Sequence, residues 1–436
     1  MYIRTLIMMS GWMILFSVKE LPAQSSFVTR SHQQFFVNNK PWYYIGANYW
    51  YGGLLGNDKK GKKRVKKELD FLKQKGVTNL RVLAAVEGTG QIHGVTRVEP
   101  AYQPNKGVFN KELLHGLDFL LAEMGKRNMK AVLFFSNNWE WSGGFLQYLN
   151  WNKLITDTVL RRKLDWDEMR DYVSRFYSCE PCKEDYYKQI KTIVERKNSI
   201  TSRKYSDEPA IMSWELANEP RPMRPAANTS YIKWVSDAAA YIKSLDKNHL
   251  VTTGCEGDMG TESIQLFETI HADKNIDYAT IHIWPKNWSW FSDTAIAKGL
   301  DRVIANTTTY INKHAAITNK IDKPLVLEEF GLPRDQHLFS TTSTTVSRDK
   351  YYTVIFNTIV PGINEKKGIA GANFWSFSGT GRPSGKKGIW WQKGDDWLGD
   401  PPMEEQGLNS VFDSDISTWD IIYSFTQKLN NPDAKK

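Results

Sequence analysis

Eight short apolar runs alternate with eight amphipathic helical patterns, and this alternation restricts the possible folds more than any other feature of the sequence. The runs that predict strands are 42–47, 77–86, 130–135, 210–216, 250–253, 278–282, 324–329 and 369–375. The helical patterns lie near 62–75, 111–127, 184–197, 231–245, 263–271, 294–314, 351–360 and 416–429. Strands that alternate with helices are typical of parallel sheets. Eight such units without a linker predict a single-domain α/β fold, the (β/α)8 TIM barrel.

Two stretches are longer than a minimal strand–helix unit requires. The region 165–204 has room for an extra helix, and the segment 376–413 is rich in Gly, Pro and Trp. Because 376–413 follows the eighth strand, it belongs to the face that carries active sites in such barrels. We expect an enlarged loop there. It either packs its Trp residues on the barrel rim or folds over the cleft and shapes sugar binding at the non-reducing end.

Two glutamates stand where strands end. Glu219 comes shortly after the apolar run 210–216, within Trp-Glu-Leu-Ala-Asn-Glu-Pro-Arg at 214–221. Glu329 comes shortly after the apolar run 324–327 and directly before Phe-Gly. Residues at the carboxyl ends of barrel strands face the active site, so both acids should point into one cleft. Glycosidic hydrolysis needs two carboxyl groups on either side of the bond that is cleaved. This pair therefore predicts a glycoside hydrolase.

Polar and aromatic residues at other strand ends fit a sugar-binding cleft. Arg81 lies in the second predicted strand, where its guanidinium can keep a carboxylate ionised. The chain has 17 Trp, several of them in Gly- and Asn-rich loops, and indole rings match the C–H faces of sugars. The candidate substrate-binding residues are Arg81, Asn138, Trp139, Asn218, Arg221, His282, Trp284 and Trp375.

These motifs together resemble glycoside hydrolase family 5, and within it the subfamily-7 β-mannanases. The resemblance covers nearly the whole chain after residue 23. It rests on Gly-Ala-Asn-Tyr-Trp at 46–50, Asn-Leu-Arg-Val at 79–82, Tyr-Gln-Pro at 102–104, Gly-Val-Phe at 107–109, Asn-Asn-Trp at 137–139, 214–221, Ile-His-Ile-Trp-Pro at 281–285, 329–331 and Phe-Trp at 374–375. It implies a (β/α)8 barrel, no cofactor, no metal, and retaining cleavage of β-1,4-linked chains.

The resemblance also assigns roles to individual residues. Glu219 would be the general acid/base and Glu329 the nucleophile, with Arg81 and His282 orienting the nucleophile. Asn218 would bind the sugar 2-hydroxyl, Trp375 would form the floor of the −1 subsite, and Arg221 would contact sugar on the leaving-group side. Trp284 departs from the family, in which many members carry Tyr. An indole offers one N–H but no phenolic hydroxyl, which leaves the hydrogen bonding of the nucleophile open.

Neighbouring acids need a separate interpretation. Successive strand residues face opposite sides, so only one of Glu328 and Glu329 should point into the cleft, and the spacing before Phe-Gly favours Glu329. Glu215 shares its side of the strand with Glu219 but lies deeper, as a hydrogen-bond partner. Five Trp residues are either sugar-binding surfaces or loop anchors, and about half of them should touch sugar: Trp50, Trp139, Trp141, Trp288 and Trp290.

The N-terminal segment and the cysteines indicate an exported protein. Residues 1–23 combine a basic start, a short apolar core and a small residue before Gln24, which is typical of a cleavable signal peptide. Residues 24–436 then form the catalytic domain, secreted or periplasmic. Cys179 and Cys182 form a CxxC that suits either a local disulfide or two free thiols. Cys255 is expected to be a small buried residue.

The sequence predicts an endo-acting β-mannanase and leaves rivals open. Net charge is +9, but Lys and Arg interleave with apolar residues at 59–72, which favours a solvated helix over a nucleic-acid surface. The expected partner is a β-mannan or manno-oligosaccharide, with no nucleic acid, no membrane and a monomeric enzyme. An exo-acting β-mannosidase and a β-1,4-glucanase are the alternatives within the class. A non-catalytic carbohydrate-binding barrel would lack one acid, and both are present.

Overall fold

The computed structural model describes residues 26–360, 369–384 and 390–430, so the predicted signal segment lies outside the described residues. The predicted barrel is confirmed. Eight parallel strands form one sheet in the order β10-β9-β8-β5-β4-β13-β12-β11. They are β4 (Tyr44–Asn48), β5 (Asn79–Leu83), β8 (Lys130–Phe134), β9 (Ile211–Glu215), β10 (Leu250–Thr252), β11 (Ala279–Ile283), β12 (Leu325–Phe330) and β13 (Ile369–Phe374). Each lies within one or two residues of its predicted position, apart from the long run at 77–86.

The described residues also contain short strands outside the barrel sheet. They are β1 (Val28–Ser31), β2 (Gln34–Val37), β3 (Lys40–Trp42), β6 (Gln91–Ile92), β7 (Val95–Thr96), β14 (Phe377–Gly379) and β15 (Val411–Phe412). The antiparallel sheet β1–β3 is absent from the sequence prediction. Val28 and Phe35 of this sheet pack with Tyr44, Tyr278 and Val326 from the barrel interior. The N-terminal end of the barrel is therefore closed by an apolar floor, and the cleft can open only at the other end.

The predicted helices are confirmed and form the outer layer. The α-helices are α1 (Gly52–Leu55), α2 (Lys59–Gln74), α3 (Lys111–Lys126), α4 (Gly144–Trp151), α5 (Asp157–Arg161), α6 (Trp166–Ser174), α7 (Glu180–Val194), α8 (Asn228–Leu245), α9 (Asp258–Thr261), α10 (Ile264–Ala272), α11 (Ile296–Lys320), α12 (Val346–Ile359) and α13 (Ile416–Asn430). Side-chain caps fix several starts: Asp58 accepts a hydrogen bond from the Gly61 amide, and Asn110 accepts from the Leu113 amide. Within α3, Leu113, Leu117 and Leu120 recur at helical spacing and are buried.

The barrel closes between β10 and β11 through hydrogen bonds outside the regular ladder. The Asp277 amide donates to the Val251 carbonyl at 2.8 Å, and the His282 amide donates to the Glu256 carbonyl at 3.1 Å. Closure brings the carboxyl ends of β9 and β12 to opposite sides of one opening. Two residues far apart in sequence, Glu219 and Glu329, thereby come to face each other.

Two insertions flank this opening. The expected extra helix is confirmed as α6, which follows α4 and α5 on the long connection between β8 and β9. The enlarged loop after β13 is held at both ends by the β14–β15 pairing of Phe377 with Val411. Inside it, the Trp391 and Trp397 rings stack at 4.6 Å, and the Trp50 indole donates to the Gly399 carbonyl at 2.7 Å. These contacts place the loop against the rim of the cleft.

The cysteine alternatives are resolved. Cys179 and Cys182 form a disulfide at the start of α7, and Cys255 is buried. In the described part of the chain, no helix has both the length and the apolar character that a bilayer span requires.

Candidate active site

Glu219 stands four residues beyond β9 in an unusual backbone conformation. Its φ is +50°, in the left-handed region that side-chain-bearing residues seldom adopt. The Glu219 amide donates to the Gly254 carbonyl at 2.9 Å, and the Asn218 amide donates to the Ser136 carbonyl at 2.8 Å. Neighbouring strand ends thus hold the turn from both sides. Strain of this kind persists where surrounding contacts fix it, and here it fixes the direction of the Glu219 side chain.

Glu329 reaches the cleft through an irregularity in β12. Ile281 pairs with Leu327 but His282 pairs with Glu329, so β12 carries one extra residue, Glu328, at this point. Strict alternation would turn Glu328 and Glu329 to opposite sides, as the sequence predicts. Instead the Glu328 carboxylate also lies inside the barrel, 3.8 Å from Arg81, while only Glu329 lines the cavity. The prediction of a single cleft-facing acid is confirmed, but its reason is wrong.

Glu219 and Glu329 lie close together in the cleft. One carboxyl oxygen of each lies within 4.8 Å of the other. Retaining enzymes hold their carboxyl groups about 5–5.5 Å apart, and inverting enzymes about 6.5–9.5 Å apart, because the latter must admit a water molecule. Direct attack of Glu329 on an anomeric carbon is therefore possible without an intervening water.

Burial and neighbouring charges act in opposite directions on the pKa of Glu329. Burial and the nearby charges of Glu219 and Glu215 raise the pKa of the Glu329 carboxyl well above its ordinary value, while Arg81 opposes this shift. Two close carboxyl groups cannot both ionise easily. The Arg81 guanidinium donates directly to Glu329, and a hydrogen bond of this kind stabilises the carboxylate form that a nucleophile needs.

Arg81 is the centre of the buried polar network beneath the cleft. It forms a bidentate pair with Glu215, with N–O distances of 2.6 and 2.8 Å, and donates to Asn218 at 2.8 Å. The role of Glu215 as a deeper hydrogen-bond partner is confirmed. Burial raises the pKa of Glu328 well above its usual range, and the charge of Glu215 adds to this shift. A neutral Glu328 leaves the Arg81 charge to Glu215 and Glu329.

His282 contacts Glu219 more closely than Glu329. Its Nδ1 lies 2.8 Å from a Glu219 oxygen and 3.4 Å from a Glu329 oxygen. Burial, with the charge of Arg81, lowers the pKa of His282 to about 3, so the imidazole is neutral. The resemblance assigns His282 to orientation of the nucleophile, whereas the structure gives it Glu219 as its main partner. A neutral ring there can orient the Glu219 carboxyl group through this hydrogen bond.

Two tryptophans complete the hydrogen bonding of the acids. The Trp139 indole donates to Glu219 at 2.5 Å, and the Trp284 indole donates to Glu329 at 3.1 Å. The uncertainty over Trp284 is resolved, because its N–H serves the nucleophile as a phenolic hydroxyl could. The Trp375 ring meets the Trp284 ring edge-on, with centroids 5.7 Å apart.

The acids line a cavity of about 530 Å³, within the range of ligand sites. Of the sequence-predicted residues, its walls include Trp139, Asn218, Glu219, Arg221, Trp284, Glu329 and Trp375. Of the five Trp residues considered as sugar-binding surfaces or loop anchors, Trp139, Trp141 and Trp288 line this cavity. Trp50 is buried under the enlarged loop and lies away from the cavity.

The remaining predicted residues lie behind this wall. Arg81 and His282 are fully buried and act through the acids that they contact. Asn138 is buried and accepts a hydrogen bond from the Arg221 amide at 3.3 Å. Arg221 itself donates to Glu256 at 2.6 Å, and its guanidinium lies 4.9 Å from the Trp139 ring centre. Its predicted contact with sugar stays a prediction, and its position at the cleft wall permits that contact.

Sequence reasoning missed seven cavity residues: Trp166, Glu256, Met259, Asn287, Ser289, Met403 and Glu404. All seven lie outside the eight barrel strands. Glu404 and Met403 come from the enlarged loop, which therefore both packs on the rim and lines the cleft. Burial, with the charges of Asp400 and Glu219, raises the pKa of Glu404 to about 8. The length of 376–413 was the available signal for this loop.

The atoms of Glu219, His282 and Glu329 are also close enough to one another for a metal ion. Each residue is engaged in hydrogen bonds within the site, with Trp139, Arg81 and Trp284 among their partners. These hydrogen bonds engage the carboxyl oxygens of both acids within the site. The arrangement is that of acid–base and nucleophilic chemistry.

Comparison with known proteins agrees with this geometry. The family model described as GH family 5 beta-mannosidase-like matches residues 25–434. The chain belongs to glycoside hydrolase family 5. A family 5 mannosidase from Rhizomucor miehei has a TM-score of 0.83 at 31% identity, covering 93% of this chain and 98% of its own. Mannan endo-1,4-beta-mannosidase 3 of Arabidopsis thaliana is 30% identical over 375 residues, which are 82% of this chain and 83% of the relative.

A more distant structure supports the fold alone. The endo-beta-1,4-mannanase from Thermotoga petrophila has a TM-score of 0.67 at 22% identity, covering 93% of this chain and 80% of that one. The family 5 assignment makes this chain a glycoside hydrolase and confirms the resemblance at the level of the family.

The hydrogen bond from Trp284 to Glu329 gives a testable prediction. Replacing Trp284 with Phe removes the only N–H that this side chain offers, and we expect kcat/KM to fall about tenfold, since a hydrogen bond to a charged group contributes about 1.5–3 kcal/mol. The lost donor stabilised ionised Glu329, so the pKa of Glu329 should rise. The acidic limb of the pH–rate profile should then move to higher pH.

Trp284→Tyr is the matched control, because its hydroxyl can donate where the indole did. We expect Trp284→Tyr to recover part of the rate lost in Trp284→Phe, and the acidic limb of its pH–rate profile to lie closer to that of the wild type. An unchanged acidic limb in Trp284→Phe would show that the indole contributes only an apolar surface.

Proposed function

We propose that this chain is an endo-acting β-mannanase that hydrolyses β-1,4-mannosidic bonds with retention of configuration. The facing pair Glu219 and Glu329, within 4.8 Å of each other in an indole-lined cavity, carries this proposal. Membership of family 5 supports it, and so do relatives named as mannan endo-1,4-beta-mannosidases. Arg81 and Trp284 prepare Glu329 to attack, and Trp139 and His282 orient Glu219.

The reaction proceeds by two displacements. Glu329 attacks the anomeric carbon while Glu219 gives its proton to the leaving oxygen, so the glycosidic bond breaks as a glycosyl ester forms. Glu219, now ionised, removes a proton from water, and the resulting hydroxyl replaces Glu329 at the same carbon. Glu219 regains its proton and Glu329 its charge. Two inversions give net retention.

An exo-acting β-mannosidase is the second candidate. The enlarged loop favours it, because Met403 and Glu404 form a wall shared by the cavity and a smaller one of about 190 Å³. Trp390 stands at the smaller cavity and is half exposed. If this wall closes the cleft beyond the first sugar, only terminal mannose is released. If sugar passes it, cleavage occurs within chains.

Early products from mannohexaose decide between these modes. We expect mannobiose and mannotriose to accumulate first, because endo-acting relatives support an open cleft. Mannose as the only early product would contradict endo action. Product NMR should show the β-anomer first, and parallel assays on mannan, glucomannan and cellulose test the sugar preference.

We also propose that the protein is exported, works as a monomer and has no nucleic-acid partner. The basic and apolar pattern of residues 1–23 and the Cys179–Cys182 disulfide support export. Many basic side chains pair with acids at the surface, as Lys233 does with Asp237 at 2.8 Å, rather than forming one basic face.

A further inference from the structure

Trp166 is a large apolar side chain at the mouth of the cavity with much of its surface open to solvent. It begins α6, is 50% exposed and contributes to the same cavity as Glu219. Exposed Trp residues are common where a surface binds a partner. Nothing in the proposed chemistry at Glu219 and Glu329 uses this ring.

The position of Trp166 relative to the acids defines which end of the cavity it serves. Its ring lies nearly parallel to that of Trp139, at 27° and with centroids 6.2 Å apart, and Trp139 donates to Glu219. Trp284 and Trp375, by contrast, lie on the side of Glu329. Because Glu219 protonates the leaving oxygen, the Trp139–Trp166 side is the leaving-group side.

The chain holds the Trp166 ring in place before any ligand arrives. The Arg170 guanidinium lies 6.0 Å from the ring centre and is itself fixed by the Met223 carbonyl and by Glu262, each at 2.7 Å. A reciprocal cap between Asp165 and Glu168 fixes the start of the helix.

A second anchor ties α6 to the segment that follows Glu219. Arg224 donates to Asp171 at 2.7 Å and to the Asp167 carbonyl at 3.0 Å. These contacts hold the start of α6, and with it Trp166, beside the segment that carries Glu219, so a ligand that binds Trp166 has less of the protein to order.

We infer that Trp166 forms a distal sugar subsite on the leaving-group side, beyond the sugar that reaches Arg221 and Trp139. The indole face stacks on the C–H face of one pyranose, and Met259, which is 42% exposed, adds an apolar contact at the same cavity. This inference rests on the proposed function and extends it: the enzyme prefers chains with at least two sugars after the cleaved bond.

The test compares Trp166→Ala with the wild-type enzyme across an oligosaccharide series and an aryl mannoside. We expect kcat/KM on the hexasaccharide to fall about five- to tenfold, with the aryl mannoside unchanged, since the latter has no sugar to place on Trp166. The cleavage positions in mannohexaose should also shift toward shorter leaving groups. Trp166→Phe should recover most of the loss.

Tyr423→Ala is the matched control, because Tyr423 is 44% exposed on α13 and lies outside the cavity residues. It should change neither substrate. Equal losses of Trp166→Ala on both substrates, or no loss on either, would overturn the inference. The comparison uses whichever β-1,4-linked oligosaccharide series the wild-type enzyme cleaves. If the wild type does not cleave manno-oligosaccharides, the proposed function is contradicted, but the effect of Trp166→Ala can still be measured on the series that it does cleave.

Discussion

Glu329→Ala should lose at least about 10⁴-fold in kcat on both mannan and activated aryl mannosides, because no other group can attack the anomeric carbon. Glu329 is held for this attack by Arg81 and Trp284 and lies within 4.8 Å of Glu219. Removing its side chain leaves a space beside the sugar. Azide should enter that space and restore cleavage of the aryl mannoside, with inversion to the α-mannosyl azide.

The configuration of that azide is the decisive measurement, and NMR gives it directly. A β-mannosyl azide from Glu329→Ala would contradict the assignment of Glu329 as nucleophile. Glu112→Ala is a control for loss of a glutamate, because Glu112 is exposed on α3 and should leave the rate unchanged.

Glu219→Ala should show a different pattern of loss. Hydrolysis of mannan should fall about 10³-fold or more, since an alkoxide leaving group needs the proton of Glu219, whereas a dinitrophenyl mannoside leaves without it. The glycosyl ester should then form quickly and break down slowly, giving a burst of dinitrophenol. Azide should accelerate the second step and give the β-mannosyl azide.

Opposite azide configurations from the two variants would establish the two roles together. Equal loss of Glu219→Ala on mannan and on the dinitrophenyl mannoside, without a burst, would instead place Glu219 outside proton transfer.

The local pattern of the sequence was sufficient for the barrel and for the two acids. Strand and helix periodicity depends on neighbouring residues, so all eight barrel strands could be predicted from it. Glu219 and Glu329 could be predicted for the same reason, since each comes within three residues of the end of an apolar run, and that end must lie at the catalytic face.

The network around the acids could not be predicted with the same accuracy. Strict alternation placed Glu328 on the wrong side of its strand, because the extra residue in β12 arises from pairing with β11 and not from the β12 sequence. The preference of His282 for Glu219 over Glu329 depends likewise on where the left-handed turn at Glu219 directs the carboxyl group.

The sequence by itself determined the fold class and the family to which the chain belongs, and it predicted Glu219 and Glu329 as the catalytic pair. Only the tertiary structure decided which loops reach the cleft: Trp166 on α6, and Met403 and Glu404 on the enlarged loop. The physical reason is the range of the interactions. Periodicity and strand ends are set by adjacent residues, whereas a loop is placed by contacts such as Arg170 with Glu262 and Trp50 with Gly399, which join distant parts of the chain.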